Sequence, residues 1–252
     1  MEHSGEVALV TGANKGIGRE IARRLAAEGM TVYVGSRDPE RGAQAVAELK
    51  AENADVRFVQ LDVTDERQAR AAARTIEEEH GRLDVLVNNA GIVGSWGLTV
   101  EDVTGDDVRG VFDVNVLGVI TVTQACIPLL LRSPAGRIVN LSSPLGSLTV
   151  LSDPTHPIAG AGLVAYSASK AALNAVTLLY ANHLRATGIR VNSANPGLVA
   201  TDLNIDSPRS RGNRTPADGA EVPVALALLG PDGPTGTFRG GDGTSAEETV
   251  PW

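Results

Sequence analysis

The chain contains very little cysteine, which limits the covalent bonds that can hold it together. Cys126 is the only cysteine in 252 residues, so no disulfide can form within the chain. It lies in the apolar stretch VTQACIPLLL, where a buried structural thiol is the expected state. A chain without disulfides is typical of a reducing compartment, and we expect a cytoplasmic protein.

An excess of positive charge and long apolar runs are also lacking. Lysine and arginine number 22 against 30 acidic residues, for a formal net charge of −8, whereas a general nucleic-acid surface needs clustered basic residues. No stretch reaches the roughly 18 apolar residues of a membrane span, and no charged leader precedes an apolar segment at the N-terminus. The four histidines, including His156, lack metal-ligand spacing. We therefore expect no nucleic-acid, membrane or metal partner.

A regular alternation of short β-rich and longer helical segments is present instead. The strand candidates are VALVT, TVYVG, VRFVQL, LDVLVN, GRIVNLS, GIRVNSA and a final TGTFR. The helix candidates are 17–28, 39–52, 65–80, 104–131 and 163–187. This alternation predicts crossover units, and therefore a parallel sheet with helices on both faces. The length favours a single domain over residues 1–252.

Residues that favour loops concentrate after the fifth and sixth strand candidates. Proline, glycine, serine and aspartate cluster at about 144–165 and 197–219. Both segments leave the carboxyl ends of strands, where open α/β sheets bind their ligands. Together with a loop at about 92–104, they are predicted to form the substrate site.

The first strand candidate runs into a glycine-containing turn and then a helix. Gly12, Gly16 and Gly18 have neither the spacing of the common dinucleotide fingerprint nor that of a P-loop. Glycines at such a junction let an anion approach the unpaired N–H groups and the positive end of the helix dipole. Alone, they are equally explained as residues of a tight turn.

Further motifs follow the turn in a fixed order. They are NNAG at 88–91, Asn115 in FDVNVLG, LSS ending at Ser143, YSASK at 166–170 and NPG at 195–197. In order and spacing, they and the TGANKGIG turn resemble the short-chain dehydrogenase/reductase family, and the resemblance covers nearly the whole chain. It implies a Rossmann-type, doubly wound parallel sheet of about seven strands in the order 3-2-1-4-5-6-7.

The resemblance also implies a nicotinamide cofactor, and the end of the second strand indicates which one. An acidic residue there binds the ribose 2′-OH of NAD, whereas a cation favours the 2′-phosphate of NADP. The chain has Ser36 and Arg37 at this point, and Lys15 in the glycine turn could reach the same phosphate. We expect NADP(H); the alternative is that Asp38 takes the acidic role and both cations are merely solvated.

Asp62 resembles the adenine contact of the family, although it could equally cap the next helix. The full set of residues that match cofactor-binding positions is Gly12, Asn14, Lys15, Gly16, Ile17, Gly18, Arg37, Asp62, Val63, Asn89, Ala90, Gly91, Tyr166, Lys170, Pro196, Gly197, Val199 and Thr201.

Four residues match the catalytic positions of the family. Tyr166 and Lys170 are four residues apart at the start of a helix, hence on one face, so the ammonium should favour the phenolate and lower the pKa of Tyr166. Tyr166 would be the general acid, and Ser143 would bind the substrate oxygen, with Ser142 as the alternative. Asn115 resembles the residue that holds a water in the proton relay; the alternative is an asparagine at a helix kink.

The segment between Ser143 and Tyr166 is longer than in the short members of the family. Such an insertion, together with Lys15, SRDPERG and the final VPW, resembles the carbonyl reductase branch. If residues 148–163 cover the helix faces through which other members pair, the protein is a monomer, and we slightly favour that state over a dimer or tetramer.

The sequence thus predicts an NADPH-dependent oxidoreductase that reduces a ketone or aldehyde. Two alternatives stay open at this point. One is an NADP-linked alcohol dehydrogenase that works in the oxidative direction, because the same residues catalyse both directions. The other is a non-catalytic NADP-binding regulator. The substrate's identity and stereochemistry are not encoded in these motifs.

Overall fold

In the computed structural model, which describes residues 3–52, 54–207 and 210–252, seven strands form one parallel sheet. The strands are β1 Val7–Thr11, β2 Thr31–Ser36, β3 Val56–Gln60, β4 Val85–Asn88, β5 Arg137–Leu141, β6 Arg190–Ala194 and β7 Phe238–Arg239. Their order in the sheet is β3-β2-β1-β4-β5-β6-β7. The predicted strand order and fold class are therefore confirmed.

Eight α-helices connect the strands within the described residues. They are α1 Gly16–Ala27, α2 Pro39–Ala51, α3 Glu66–His80, α4 Gly105–Phe112, α5 Val119–Leu130, α6 Leu148–Leu151, α7 Val164–Leu184 and α8 Pro216–Ala227. Side chains fix several of their starts: Asp38 and Asp65 cap α2 and α3, and α4 and α8 begin with capping boxes at Thr104 and Thr215.

The core lies in two layers, one on each face of the sheet. Residues of α1, α2 and α8, such as Leu25, Leu49 and Leu226, are buried against one face. Residues of α3, α5 and α7, such as Ile76 and Cys126, are buried against the other. Near-continuous burial of the β-branched strands follows from this double covering.

The predicted helix at 104–131 is interrupted. A π-helical turn, Asp113–Gly118, separates α4 from α5. An 18-residue window of the run Gly105–Leu130 has a mean hydropathy of 1.6, so the run could cross a membrane by length and composition alone, yet 44% of this window is buried inside the protein. Core helices pass the same test, so this run is weak evidence for a membrane segment.

Candidate active site

A long cleft opens at the carboxyl ends of the strands and holds most of the predicted site. It measures about 1760 Å³, including the solvent at its mouth. All the predicted cofactor residues except Gly197 and Val199 line it. Ser142, the alternative to Ser143, also lines it, and the further lining residues that were not predicted individually are Leu61, Ile92, Val114, Leu141, Ala200, Asp202, Leu203 and Pro216.

The glycine turn is fixed against the end of β4. Gly12 and Gly16 have φ values of +63° and +57°, which favour glycine. Asn89 Nδ2 donates to the carbonyl oxygens of Thr11 and Gly12, at 2.8 and 3.2 Å. A Cβ on Gly18 would lie 2.7 Å from the Gly12 carbonyl oxygen, so this position needs glycine to pack the start of α1 into the turn.

The start of α1 has the features of an anion site. Its cap residue, Lys15, makes no side-chain cap hydrogen bond, and the first turn contains no acidic residue. The first N–H groups of a helix lack intrahelical partners and carry the positive end of the dipole. With the glycine backbone beside them, they fit a pyrophosphate.

The end of β2 separates the roles of Arg37 and Asp38. The Asp38 carboxylate accepts hydrogen bonds from the N–H groups of Glu40 and Arg41, both at 3.1 Å, so it is used as the cap of α2. Arg37 is exposed and lines the cleft. The alternative in which Asp38 takes the acidic role is therefore not supported by this geometry.

The Lys15 ammonium pairs with a carboxylate, that of Asp202. Its Nζ lies 2.5 Å from Asp202 Oδ2, in a pair whose side chains are 54% and 64% exposed. The Lys15 hydrogen bond is the main cause that lowers the pKa of Asp202. This pair joins the glycine turn to the short helical turn Asp202–Asn204, across the mouth of the cleft.

Asp62 lines the cleft but does not cap the next helix. Its Oδ1 accepts hydrogen bonds from Thr64 N and Oγ1, at 3.0 and 2.7 Å. The cap of α3 is Asp65. The capping alternative for Asp62 is therefore wrong, and the side chain belongs to the turn at the edge of the cleft.

The two adjacent serines after β5 have different partners. Ser142 is 3% exposed, and its hydroxyl donates to Asn174 Oδ1 at 2.7 Å. Ser143 is less buried, accepts a hydrogen bond from Leu145 N at 3.2 Å, and lies beside the Tyr166 phenol, whose pKa it acts to lower. This arrangement favours Ser143 over Ser142 as the partner of a substrate oxygen.

Tyr166 and Lys170 face the cleft from the first turns of α7. Burial raises the pKa of Tyr166 to about 12, against a smaller opposite effect of the Ser143 hydrogen bond. Burial lowers the pKa of Lys170 to about 8. The Lys170 Nζ donates to the Leu141 carbonyl oxygen at 2.8 Å and lies 5.6 Å from the centroid of the tyrosine ring. The expected lowering of the tyrosine pKa is thus wrong for this arrangement, because desolvation of the phenolate dominates.

Asn115 lies in the π-helical turn and is fully buried. Its Nδ2 donates to the carbonyl oxygen of Ile92 and to Ser169 Oγ, at 2.8 and 3.0 Å, and its Oδ1 accepts from Ile92 N at 2.9 Å. A Cβ on Gly91 would lie 3.3 Å from this Oδ1 and 3.7 Å from Lys170 Nζ. Asn115 therefore fixes the segment that separates it from Lys170.

Gly197 and Val199 lie beside the cleft rather than on its wall. Val199 is 2% exposed. A Cβ on Gly197, whose φ is +73°, would lie 2.9 Å from Arg214 Cδ. Both residues shape the loop after β6, and the cleft itself is lined by Ala200 and Thr201 further along.

A smaller pocket adjoins Tyr166. Its empty volume, including the solvent at its mouth, is about 320 Å³. The residues that line it are Val93, Gly94, Ser95, Leu98, Val103, Asp107, Val111, Gly162, Leu163, Val164, Ala165 and Tyr166. Two of the three loops predicted to form the substrate site, 92–104 and 144–165, thus meet here. The third predicted loop, 197–219, contacts the loop at 92–104 through Trp96, whose Nε1 donates to the Leu203 carbonyl oxygen at 3.2 Å.

The longer segment before Tyr166 does not cover the outer faces of α5 and α7 as expected. Thr149 in α6 forms hydrogen bonds to the Trp252 carbonyl oxygen through N and Oγ1, at 3.0 and 2.7 Å. Leu117 and Leu179 remain 53% and 69% exposed, whereas Leu173 is buried within the chain. The prediction that this segment covers the helix faces is therefore wrong at Leu117 and Leu179.

Several site residues carried no signal in the sequence. Asp202 and Trp96 act through contacts with segments that are distant along the chain, and no motif marks such contacts. Ser142 was visible as the neighbour of Ser143, but only the buried hydrogen bond to Asn174 distinguishes the two.

Comparison with known proteins agrees with this geometry. Residues 6–212 match the family model described as short chain dehydrogenase. The chain is 37% identical to a cyclopentanol dehydrogenase of Comamonas sp., over 90% of this chain and 81% of the relative. It is 35% identical to salutaridine reductase of Papaver somniferum, over 92% and 93%.

A solved structure of NADPH-bound carbonyl reductase from chicken fatty liver is similar over nearly the whole length. The TM-score is 0.83 at 28% identity, and the match covers 99% of both chains. The family match spans most of the chain, and the fold carries the motif residues to one cleft. The chain therefore belongs to the short-chain dehydrogenase/reductase family of oxidoreductases.

Proposed function

We propose that this protein reduces a ketone or aldehyde to an alcohol with NADPH, with Tyr166 as the general acid. The observation that carries the proposal is the position of Tyr166, which lines both the long cleft and the smaller pocket, with Lys170 on the cleft wall and Ser143 beside the phenol. Burial raises the pKa of Tyr166 to about 12, so the phenol is protonated at neutral pH. A protonated phenol is the form that reduction requires.

The described residues fit NADP(H). The glycine turn and the start of α1 would hold the pyrophosphate, and Asp62 with Val63 would border the adenine. Arg37 would bind the 2′-phosphate, because Asp38 is occupied as a helix cap. The NADPH-bound carbonyl reductase with the same fold supports this assignment.

The cofactor and the protein chain supply different parts of the reaction. The bound cofactor supplies the hydride that reaches the carbonyl carbon. Tyr166 then donates its proton to the developing alkoxide, and Ser143 stabilises the same oxygen by a hydrogen bond. Lys170 places a cation beside the phenol. Asn115 is proposed for the proton relay. Both of its amide protons are used, and Oδ1 accepts from Ile92 N, so the second lone pair of Oδ1 is the position for a water.

The substrate class follows from the pocket beside Tyr166. Its wall is mainly aliphatic, and Asp107 in that wall is a partner of the Thr104 cap. We propose an uncharged, apolar ketone or aldehyde, because a charged substrate would lose its hydration there without a partner. The name of one relative, a cyclopentanol dehydrogenase, agrees with an apolar cyclic framework.

Assembly and localisation are further parts of the proposal. The sequence favoured a monomer, but the exposed Leu117 and Leu179 lie on the helix faces that other members use for pairing. Light scattering at micromolar concentration tests this: the mass of one chain supports the monomer, and a dimer that persists on dilution contradicts it. A cytoplasmic location rests on the single, buried Cys126 alone.

The function is tested by NADPH oxidation with a panel of carbonyl compounds. We expect turnover with cyclic and aliphatic ketones and little with keto acids of similar size. Faster turnover of alcohols with NADP⁺ at neutral pH would favour the oxidative alternative. Tight NADPH binding without turnover of any panel member would favour the non-catalytic regulator.

A further inference from the structure

A chain of buried polar side chains runs beneath the catalytic residues. It links β4, β5 and β6 to α7 through Asn88, Asn140, Thr177, Ser193, Asn174 and Ser142. Each of these residues is at most 4% exposed. Buried polar groups are costly unless they are hydrogen-bonded, so the position of each member constrains its neighbours.

Asn174 is the member that reaches the catalytic turn. Its Oδ1 accepts from the Ser142 hydroxyl at 2.7 Å, and its Nδ2 donates to the Gly146 carbonyl oxygen at 3.2 Å. Ser143 lies between these two points along the chain. One side chain therefore holds both ends of the segment that carries Ser143.

Asn174 also shares a helix face with the other catalytic residues. Tyr166, Lys170 and Asn174 follow one another at intervals of four residues on α7, and residues four apart lie above each other on a helix. Any shift of the Ser143 turn relative to Asn174 is thus a shift relative to Tyr166.

The turn that carries Ser143 packs directly against the backbone of α7 at Gly146. A Cβ on Gly146 would lie 2.5 Å from the carbonyl carbon of Lys170 and 2.8 Å from Ala171 N. Only glycine allows so close an approach. It brings the Gly146 carbonyl oxygen within reach of Asn174, which closes the connection between turn and helix.

We propose that Asn174 is a positioning residue that sets the Ser143 hydroxyl against the Tyr166 phenol. The inference rests on the proposed function for its kinetic effects, whereas its structural effect on the turn does not. The competing explanation is that Asn174 serves stability alone, as any satisfied buried amide does.

The structure provides a matched pair of substitutions that separates the two explanations. Ser142→Ala removes the hydroxyl that joins Asn174 to the catalytic turn. Ser193→Ala removes an equally buried hydroxyl of the same network, on β6. The nearer partner of this hydroxyl is Thr177 Oγ1 at 3.0 Å, and Asn174 Oδ1 lies 3.3 Å away. Both lose one buried hydrogen-bonding group.

The positioning role predicts different kinetics for the pair. Ser142→Ala should lower kcat roughly tenfold with little change in the KM for NADPH, since small misplacements of reacting groups cost large factors in rate. Ser193→Ala should lower the melting temperature similarly and leave kcat near wild type. Equal losses of kcat in both, or no loss in Ser142→Ala, would overturn the proposal.

Asn174→Asp adds a test by conservative replacement. The ionised carboxylate keeps an acceptor for Ser142 but cannot donate to the Gly146 carbonyl oxygen, whereas the protonated acid can do both. The kcat of this variant relative to wild type should therefore rise as the pH falls. A ratio that stays constant with pH would contradict the role of the donated bond.

Hydrogen exchange of the turn decides the matter independently of activity. The N–H groups of Gly146 and Ser147 donate to the carbonyl oxygens of Ser143 and Pro144, at 2.8 and 3.0 Å. In the purified protein, Ser142→Ala should speed exchange of these amides, and Ser193→Ala should not. If the wild type reduces no carbonyl compound, the proposed function fails and this measurement still tests the positioning role. Unchanged exchange in Ser142→Ala would refute it.

Discussion

The two walls of the cleft are built on different physical principles. On the nucleotide wall, formed by Lys15, Arg37 and Asp202, the charged side chains are exposed. On the catalytic wall, formed by Ser142, Tyr166 and Lys170, Ser142 and Lys170 are buried and make short hydrogen bonds to Asn174 and to the Leu141 carbonyl oxygen. Water and salt screen the exposed charges of the nucleotide wall strongly, and they screen the buried groups of the catalytic wall much less.

This contrast teaches where single substitutions should matter. On the catalytic wall, one lost group leaves a buried partner unpaired or removes the proton donor, so effects on rate are large. On the nucleotide wall, each charge contributes modestly and the contributions depend on ionic strength. The predictions below test this difference in order of decreasing effect.

The largest effect is expected for Tyr166→Phe, which deletes the proton donor and leaves the glycine turn unchanged. We expect kcat to fall by a factor of about 100 or more, with the Kd of NADPH, measured by fluorescence titration, close to wild type. Tyr180→Phe is the matched control. Tyr180 lies on α7 like Tyr166 but outside the cleft, and its hydroxyl accepts a hydrogen bond from Gln124 of α5. A Tyr166→Phe enzyme with more than half of the wild-type kcat would rule out the assignment.

The buried lysine predicts opposite pH trends for activity and stability. Burial lowers the pKa of Lys170 to about 8, so the ammonium is lost above that pH and kcat/KM for reduction should fall. The unfolded chain keeps this proton up to about pH 10.4. Between these values the unfolded state binds more protons, and stability from this group should rise with pH.

The two trends are measured as a pH–rate profile and as unfolding midpoints between pH 7 and 10. Lys170→Met is the reference for both, since it removes the titrating group and keeps an apolar chain of similar length. A wild-type rate that stays level through this range would show that the lysine charge is not needed for reduction.

On the nucleotide wall, Arg37→Ala should weaken NADPH binding about tenfold and leave NADH binding nearly unchanged. The weakening should shrink as salt is added, because the side chain is exposed. Arg70→Ala is a suitable control: that arginine is also exposed but pairs with Glu66 on α3. Equal losses for both cofactors would mean that Arg37 does not meet the 2′-phosphate.

The smallest effect, and one of opposite sign, is expected for Asp202→Asn. The Asp202 carboxylate holds Lys15 at 2.5 Å and so competes with a 2′-phosphate for the same ammonium. Removing its charge should tighten NADPH binding by a factor of about two to three without affecting NADH, as suits an exposed pair. Weaker binding of both cofactors would mean that the pair only holds the loop after β6.

How much of this could be predicted from the sequence differs between the two walls. The parallel sheet, the glycine turn and the placement of Tyr166 and Lys170 on one helix face follow from local patterns and short spacings, whereas the strand order came from the family resemblance. The partner of Lys15 does not, because Asp202 lies 187 residues away along the chain. The π-helical turn around Asn115 was visible only as a possible kink within one long apolar run.

The tyrosine pKa shows a second kind of failure. The spacing of Tyr166 and Lys170 correctly puts both on one face, but it contains no information on desolvation, which raises the pKa of the phenol. Burial depends on the whole packed structure, so an argument from neighbouring charges alone gave the wrong direction.

The most direct test of the central claim follows the hydride itself. NADPH carrying deuterium at both C4 positions of the nicotinamide is incubated with the protein and an apolar cyclic ketone, and the product is analysed by mass spectrometry. The account predicts an alcohol with deuterium on the carbinol carbon, formed by wild type and Tyr180→Phe and nearly absent with Tyr166→Phe. Undeuterated alcohol, or equal deuterium transfer with Tyr166→Phe, would contradict it.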